Sequence, residues 1–348
     1  MLAVVKEHPG PGFVLREVEE PALKPQWVLV EVRAAGICGT DIPIFEGIRH
    51  VPTPLIPGHE ISGVVAGKGE GVDQLEVGDR VAIDLVISCG DCSHCRRGDD
   101  SLCDRIQEVG IDLHGGFAQY VAVPARNAFR LPEGLSFLDG ASIDPIASAY
   151  HGVRQAFISA KDTVAIVGPG PIGLYALQLV RAEGARRTVV VGTRRSRLEV
   201  ARRLGADAVV DLSQEDPVEG VLRANEGRLA DIVIEATGNP DAVETACQIA
   251  SKKGKIVLTG IFHEEARVHP RHIVRKELRI RGSFCYTRED FATCIQLVAD
   301  GRVRTAPVIT HVLPLKEMEK GLQLIKSREA IKVILEPNRR GDDVTQSL

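Results

Sequence analysis

No apolar run in the 348 residues approaches the roughly 20 that a membrane-crossing helix needs, so a membrane-spanning chain is not expected. The start, Met1 to Gly10, lacks the basic segment and long apolar core of a secretory leader, and the expectation is a cytoplasmic protein. Positive charge is also in short supply. Lys and Arg number 43 against 47 Asp and Glu, a net charge of −4, and no basic stripe runs along the chain. Nucleic acid and anionic membrane surfaces are therefore not expected partners. There is neither an internal repeat nor a low-complexity tract.

What the chain does have is a strand, a glycine turn and a helix between Thr163 and Val180. Val164 to Val167 is an apolar run suited to a strand buried on both faces. Gly168, Gly170 and Gly173 come next with G-x-G-x-x-G spacing, leading into a helical pattern of apolar residues from Ile172 to Val180. The first glycine allows a tight turn and the second lets a pyrophosphate approach the backbone. The third lets helix and strand pack closely, with the anion at the helix N-terminus. Repetition downstream strengthens the motif. Thr188 to Val191, Ala208 to Val210, Ile232 to Ile234 and Ile256 to Leu258 read as further strands with helical segments between them, predicting an α/β, doubly wound parallel sheet.

Upstream the pattern differs. Leu2 to Val5, Val28 to Val32, Ile61 to Val65, Arg80 to Ile83 and Ala118 to Val123 read as short strands separated by Gly and Pro, predicting an all-β, loop-rich domain that ends near residue 145. Within it lie Cys89, Cys92, Cys95 and Cys103. Four thiolates so close in sequence can wrap one tetrahedral ion and leave no open position, the mark of a structural zinc site. An iron–sulfur cluster is the other metal reading. His94 is expected to be a solvated loop residue, and Cys247, Cys285 and Cys294 to be packing residues.

A second metal site would have to be assembled from distant pieces: Cys38, the His59-Glu60 pair and Asp144. Sulfur, imidazole and carboxylate suit a zinc with one position left for water or substrate. Each also has a plainer account, Cys38 as core, His59 as a turn residue and Asp144 as a helix cap before Pro145.

The motifs Gly36-Ile-Cys-Gly-Thr-Asp41, Pro57-Gly-His-Glu60, the four-cysteine lobe, Val167-Gly-Pro-Gly-Pro-Ile-Gly173 and Glu235-Ala-Thr-Gly238 occur here in the order found in zinc-dependent medium-chain alcohol dehydrogenases. The chain most resembles their sorbitol (polyol) and threonine dehydrogenase branch, over nearly its whole length. The resemblance implies a GroES-like catalytic domain in two segments, 1–145 and 288–348, flanking a Rossmann domain at 146–287. It implies Cys38, His59 and Asp144 as catalytic zinc ligands, the last usually a glutamate in the branch, with Glu60 ligating directly or through water. Thr40 would start a proton relay, and Asp41 would hold the His59 imidazole. His151 resembles a histidine common in the branch, read as a positioning residue. Cofactor contacts are expected from Gly168, Gly170, Pro171, Ile172 and Gly173, from Thr193, Arg194 and Arg195, and from Thr237. Two zinc ions per chain and a homodimer or homotetramer complete the expectation. The strand at Ile256 to Ile261 would lie at the sheet edge, open to pairing across a two-fold axis.

Two positions depart from the branch pattern. Pro43 stands where a histidine often continues the relay, so water, ribose or a group such as His50 would have to substitute. Gly192-Thr-Arg-Arg-Ser196 stands where NAD-specific members end the second strand with aspartate. Arg194 and Arg195 offer guanidinium forks suited to phosphate, which favours NADP with NAD as the alternative. The implied substrate is a secondary alcohol of a polyol, sugar or similar small polar molecule, oxidised to a ketone; a hydroxy amino acid of the threonine type is the alternative. Phe45, Ile111, Tyr120, Phe284 and Tyr286 are candidates to line a pocket and are more simply packing residues. Arg105, Glu108 and Asp112 are expected to be solvated. A nucleic-acid zinc module around Arg96 and Arg97, and a non-catalytic zinc-binding relative, are the readings from other classes. The tail, Pro337 to Leu348, has no apolar pattern and is expected to be mobile.

Overall fold

The computed structural model describes residues 1–338 and comprises two compact units. One contains Met1–Asp144, Thr287–Ala299 and residues 309–338; the other contains Pro145–Tyr286 and Asp300–Val308. From residue 339 on, the tail expected to be mobile lies outside the described residues.

The second unit is built on six parallel strands. Across the sheet they run Ala208–Asp211, Arg187–Gly192, Thr163–Val167, Ala230–Glu235, Ala250–Leu258 and Arg279–Gly282, which in sequence order is 3-2-1-4-5-6. This is the doubly wound order in which ligands bind outside the carboxyl ends of the central strands, where the order reverses. Val164, Ala165, Ile166, Val189, Val190, Ile232, Val233 and Ile234 are fully buried, which is why these strands read as unbroken apolar runs. Several connecting helices start with proline after a good capping residue. Asp216 accepts the Val218 and Glu219 amides ahead of Pro217–Ala224, and Asn239 accepts the Asp241 amide ahead of Pro240–Ile249. Cys247 is fully buried on that last helix.

The expectation of an edge strand at Ile256 to Ile261 is overturned. Ala250–Leu258 pairs on both sides, and the strand beyond it is Arg279–Gly282. The sequence Arg-Ile-Arg-Gly carries its charges on an exposed outer strand, so it lacks the apolar run that would mark it.

The first unit centres on a seven-stranded sheet. Ile309–Pro314, Lys332–Glu336, Trp27–Ile37, Glu60–Lys68, Arg80–Ile83 and Ala128–Arg130 lie side by side, and Tyr120–Pro124 also pairs with Trp27–Ile37. The C-terminal segment thus completes the sheet begun by the N-terminal one, with Val333 opposite Ile37 and Leu335 opposite Ala35. Along Trp27–Ile37 the alternate residues Val28, Val30 and Val32 are fully buried, the period-two pattern of a strand with one face on the core. Val81, Ile83, Val121, Val123, Val333 and Leu335 share that core.

This unit is not purely β. Asp41–Glu46 and Phe137–Ala141 are short helices, and Ile143–Ala156 begins at its end. The second is opened by a capping box between Ser136 and Asp139. At six and five residues the two short helices lack the length for helical periodicity to show in sequence. Among the described residues no helix is long and apolar enough to cross a membrane.

Candidate functional site

The four-cysteine lobe closes on itself. The sulfurs of Cys89, Cys92, Cys95 and Cys103 all lie within 4.8 Å of one another, and all four cysteines are free thiols. A tetrahedral ion with metal–sulfur bonds of about 2.3 Å needs sulfurs roughly 3.8 Å apart. Cys89 and Cys95 stand 3.8 Å apart, and Cys92 and Cys95 3.4 Å. Backbone amides also donate to the Cys103 sulfur, that of Cys89 at 3.2 Å and that of Arg105 at 3.3 Å. The residues fit a structural ion. His94 stays outside the cluster, with Nδ1 on the exposed Arg97 guanidinium at 3.1 Å. Arg105 is exposed and pairs with Asp91 across the lobe. Cys92→Ser is expected to lower bound zinc by one equivalent per chain and to open residues 89–103 to limited proteolysis. Unchanged metal content in that variant would remove the site.

The second cluster is assembled from the two ends of a strand pair. Trp27–Ile37 delivers Cys38 at its end, and Glu60–Lys68, antiparallel to it, starts just after His59, with Gly36 opposite Glu60. Ligand atoms of Cys38, His59 and Glu60 lie within 4.8 Å of one another. Gly58 enters this turn at φ +94°, and a Cβ there would meet the Phe117 ring at 2.5 Å, so the turn into His59 requires glycine. Asp144 lies outside this trio. It is 5% exposed in the first turn of Ile143–Ala156, and its charge acts on both His59 and Lys332.

Burial works against a charged His59, yet the Cys38 sulfur and the Asp41 and Asp144 carboxylates outweigh it and hold its pKa well above the usual value. Its Nδ1 is buried with no hydrogen-bond partner. A buried imidazole within 4.8 Å of a thiol sulfur and a carboxylate oxygen is a donor set in want of a cation, and zinc fits it.

Asp41 differs from expectation. It makes no hydrogen bond to His59; its Oδ2 accepts the Cys38 amide at 2.8 Å, and its Oδ1 has no partner. Asp41 opens the Asp41–Glu46 helix, and its carboxylate folds back over the turn that carries Cys38. Burial pushes its pKa up to about 6, with His59 and the Cys38 amide opposing. The Thr40 hydroxyl is 3.6 Å from the Cys38 sulfur. Pro43 is buried inside the short helix and His50 is exposed after it.

Sequence reasoning missed Lys332. Its ammonium lies 2.6 Å from both Glu60 carboxylate oxygens and 3.1 Å from the Ile37 carbonyl, with lysine and glutamate side chains 3% and 1% exposed. Burial alone would lower the Lys332 pKa, but the Glu60 carboxylate raises it, so the lysine stays charged. Glu60 therefore already has a strong partner.

In the second unit the glycine turn has the expected construction. Gly168 sits at φ +103°, where a Cβ would strike the Thr237 side chain at 2.3 Å, and a Cβ on Gly173 would fall 1.9 Å from the Gly168 carbonyl oxygen. Gly170 faces open space and caps Pro171–Ala182 without a side-chain bond, and the first turn carries no acidic residue. Ile172 lies in the same first turn. The amides at that helix end are available to an anion, and a dinucleotide pyrophosphate fits. Thr237 is committed elsewhere, its hydroxyl to the buried Glu235 carboxylate and its amide to the same oxygen at 2.6 Å. Thr193, Arg194 and Arg195 are exposed beyond Gly192. Gly192 has a packing reason of its own, since a Cβ would meet Pro169 at 2.5 Å.

The remaining expectations divide. Ile111 and Tyr286 are buried, Phe45 packs edge-on against Phe13 at 5.2 Å, Tyr120 is half-buried and Phe284 is exposed. Glu108 is buried rather than solvated, because Arg49 reaches it at 3.3 Å. Asp112 is exposed but accepts the Glu108 amide. Cys294 is fully buried, as a packing residue should be, whereas Cys285 is half-buried at φ +47°. His151 contacts Gln155 one helical turn on, at 3.2 Å.

Comparison with known proteins places this architecture. Residues 24–133 match the alcohol dehydrogenase GroES-like domain and residues 171–300 the zinc-binding dehydrogenase family. The L-threonine 3-dehydrogenase of Bacillus subtilis (strain 168) is 35% identical over 345 residues, 97% of this chain and 99% of the relative. The sorbitol dehydrogenase of Halalkalibacterium halodurans is 34% identical over 343 residues, with 97% and 99% covered. A Sinorhizobium meliloti 1021 protein, described as a zinc-binding dehydrogenase and crystallised with NADP, superposes with a TM-score of 0.91 at 34% identity, covering 97% of this chain and 99% of its own. The GroES-like unit, the dinucleotide turn and the two clusters of ligand atoms thus sit in one chain that is an oxidoreductase and belongs to the zinc-dependent medium-chain alcohol dehydrogenases.

Proposed function

We propose that this chain oxidises a secondary alcohol of a small polyol, sugar or similar polar molecule to a ketone, with hydride passing to NADP. The observation that carries the reading is the buried Cys38, His59 and Glu60 trio with an unpartnered imidazole nitrogen. In this reading Cys38 and His59 hold the catalytic zinc with Asp144 and with Glu60 directly or through water, and Cys89, Cys92, Cys95 and Cys103 hold a second, structural one. Zinc bound there would polarise the alcohol oxygen and lower its pKa. The work of the chain's own groups is then to orient and to move one proton. Thr40 accepts it, and with Pro43 unable to carry it onward, water or an exposed group such as His50 passes it out. Asp41 keeps the turn that carries Cys38 in place through the Cys38 amide. Gly168 to Gly173 bind the pyrophosphate at the helix end, so the second unit serves the nucleotide while the first serves catalysis.

Arg194 and Arg195 support NADP over NAD. Among the described residues neither guanidinium has a hydrogen-bond partner, and both stand at the start of Arg195–Arg203, where their charge opposes the helix dipole unless an anion joins them. Arg194→Gln is expected to raise the NADP KM about tenfold or more, the loss of a charge-assisted bond worth about 1.5–3 kcal/mol, with the NAD KM unchanged. An equal change for both nucleotides would take the ribose phosphate away from this arginine. Relatives named L-threonine 3-dehydrogenase support a hydroxy amino acid with NAD as the second reading. The deciding experiment monitors reduced-nicotinamide absorbance with polyols, sugars and hydroxy amino acids, each with NADP and NAD, with and without a zinc chelator. Chelator-sensitive NADP reduction by one class supports the proposal. Threonine turnover with NAD replaces it by the alternative, and silence from fully zinc-loaded protein with one metal per chain leaves a non-catalytic relative.

A further inference from the structure

A cavity of about 440 Å³ in the second unit is lined by Gln178, Leu204 and Gly205 and by four arginines, Arg181, Arg203, Arg302 and Arg304. We propose that this hollow binds a small polyphosphate anion at a site separate from the dinucleotide turn.

Its position separates it from the cofactor. The helix Pro171–Ala182 starts at the glycine turn and ends at the cavity, and its 12 residues span roughly 18 Å. The cavity also adjoins the loops leading into the strands Arg187–Gly192 and Ala208–Asp211, so it lies at the amino edge of the sheet, whereas dinucleotides bind at the carboxyl edge.

Two of the arginines have structural duties. Arg302 donates to the Ala182 carbonyl at 3.1 Å and Arg304 to the Arg203 carbonyl at 3.3 Å, covering the C-terminal ends of two helices. Arg181 faces a single carboxylate, Asp207, at 3.8 Å, and among the described residues the Arg203 guanidinium has neither a hydrogen bond nor an ion pair. Four guanidiniums against one carboxylate and two helix ends of about half a charge each leave roughly two positive charges in the hollow. Arg181 and Arg203 stand in the last turns of their own helices, where positive charge is also favourable, but two helix ends need less charge than four guanidiniums bring. Guanidinium forks match phosphate oxygens in pairs, and several around one concave space suit an anion with several phosphates better than a single carboxylate. The hollow is shallow and open to solvent, with all four arginines exposed, and its volume is that of a small-molecule site.

The floor is fixed. Gln178, 6% exposed, donates to the Arg304 carbonyl at 3.1 Å and accepts its amide at 2.8 Å, so residues 300–308 are clamped to the helix they cross. An anion bridging Arg203 and Arg302 would tie that segment to both helix ends.

The test is titration calorimetry of sodium tripolyphosphate into the full, zinc-loaded chain saturated with NADP, so that the dinucleotide turn is filled. One tripolyphosphate per chain is expected, with affinity falling as salt rises. Arg203→Gln removes no internal side-chain bond and should weaken binding at least about tenfold, about 1.4 kcal/mol. Arg275→Gln, an exposed charge elsewhere on the same unit, should leave it unchanged. No binding to the unsubstituted chain overturns the proposal, as does equal weakening in both variants. Equal heat from sulfate at matched ionic strength also overturns it, marking an adventitious ion only.

Discussion

Cys38→Ser is expected to lower kcat/KM at least about a thousandfold, roughly 4 kcal/mol of transition-state stabilisation, with one zinc lost per chain and the other retained. The size of the effect comes from how the trio is built. A serine oxygen is a harder and, at neutral pH, protonated donor, and it replaces the one soft ligand beside His59 and Glu60. The backbone around it should not move, because the Asp41 bond goes to the residue 38 amide and not to its side chain. Circular dichroism and the melting of the nucleotide unit should therefore match the parent. The measurement is metal content beside steady-state kinetics. Full activity with one zinc gone would mean that chemistry occurs elsewhere, and full zinc with lost activity would make Cys38 something other than a ligand.

Lys332→Met is expected to destabilise the first unit by about 3–5 kcal/mol, read by urea denaturation of the whole chain. The Glu60 carboxylate is 1% exposed and takes both its close contacts from this one ammonium. Removing the lysine leaves the buried Glu60 carboxylate without its hydrogen-bonded ammonium, in a cluster that also holds Cys38, Asp41 and Asp144. Removing both charges together, as in Glu60→Leu with Lys332→Met, should recover most of the loss, since apolar groups of similar volume can replace a buried ion pair at little cost. Additive losses in the double variant would show that the two side chains contribute through packing alone. The pair also bears on chemistry. In the proposed reading, with Glu60 as a zinc ligand, its two bonds to Lys332 would limit how far that carboxylate could reach towards the metal.

How much of this could be read from the sequence depends on how far apart the cooperating residues lie. The glycine turn and the cysteine lobe are local; Cys89 and Cys103 are separated by 14 positions, and spacing alone brings such thiolates together. Cys38 and His59 needed only one antiparallel strand pair to meet. Lys332 could not be found this way. It is 272 positions from Glu60, and Lys-Val-Ile-Leu reads as an ordinary strand whose first residue would be solvated. Its burial results from the C-terminal strand joining the sheet beside Trp27–Ile37, a non-local pairing that no window of sequence contains. Asp41 illustrates another limit: the resemblance placed a carboxylate beside His59, but its bond to the Cys38 amide depends on the short helix it opens, and six residues are too few to show in a pattern.

The closeness of Pro169 to Gly192 restricts what can stand at the end of the second strand. Any side chain introduced at Gly192 would press its first carbon 2.5 Å from the proline ring. A lone Gly192→Asp, the step that would give the strand end the carboxylate seen in NAD-specific members, is thus overpacked by an amount on the order of 1–3 kcal/mol before any nucleotide binds. Position 169 must change first or at the same time. If the strand end meets the ribose as proposed, nucleotide preference here would be an epistatic trait, since position 192 is constrained by position 169 in the adjoining turn.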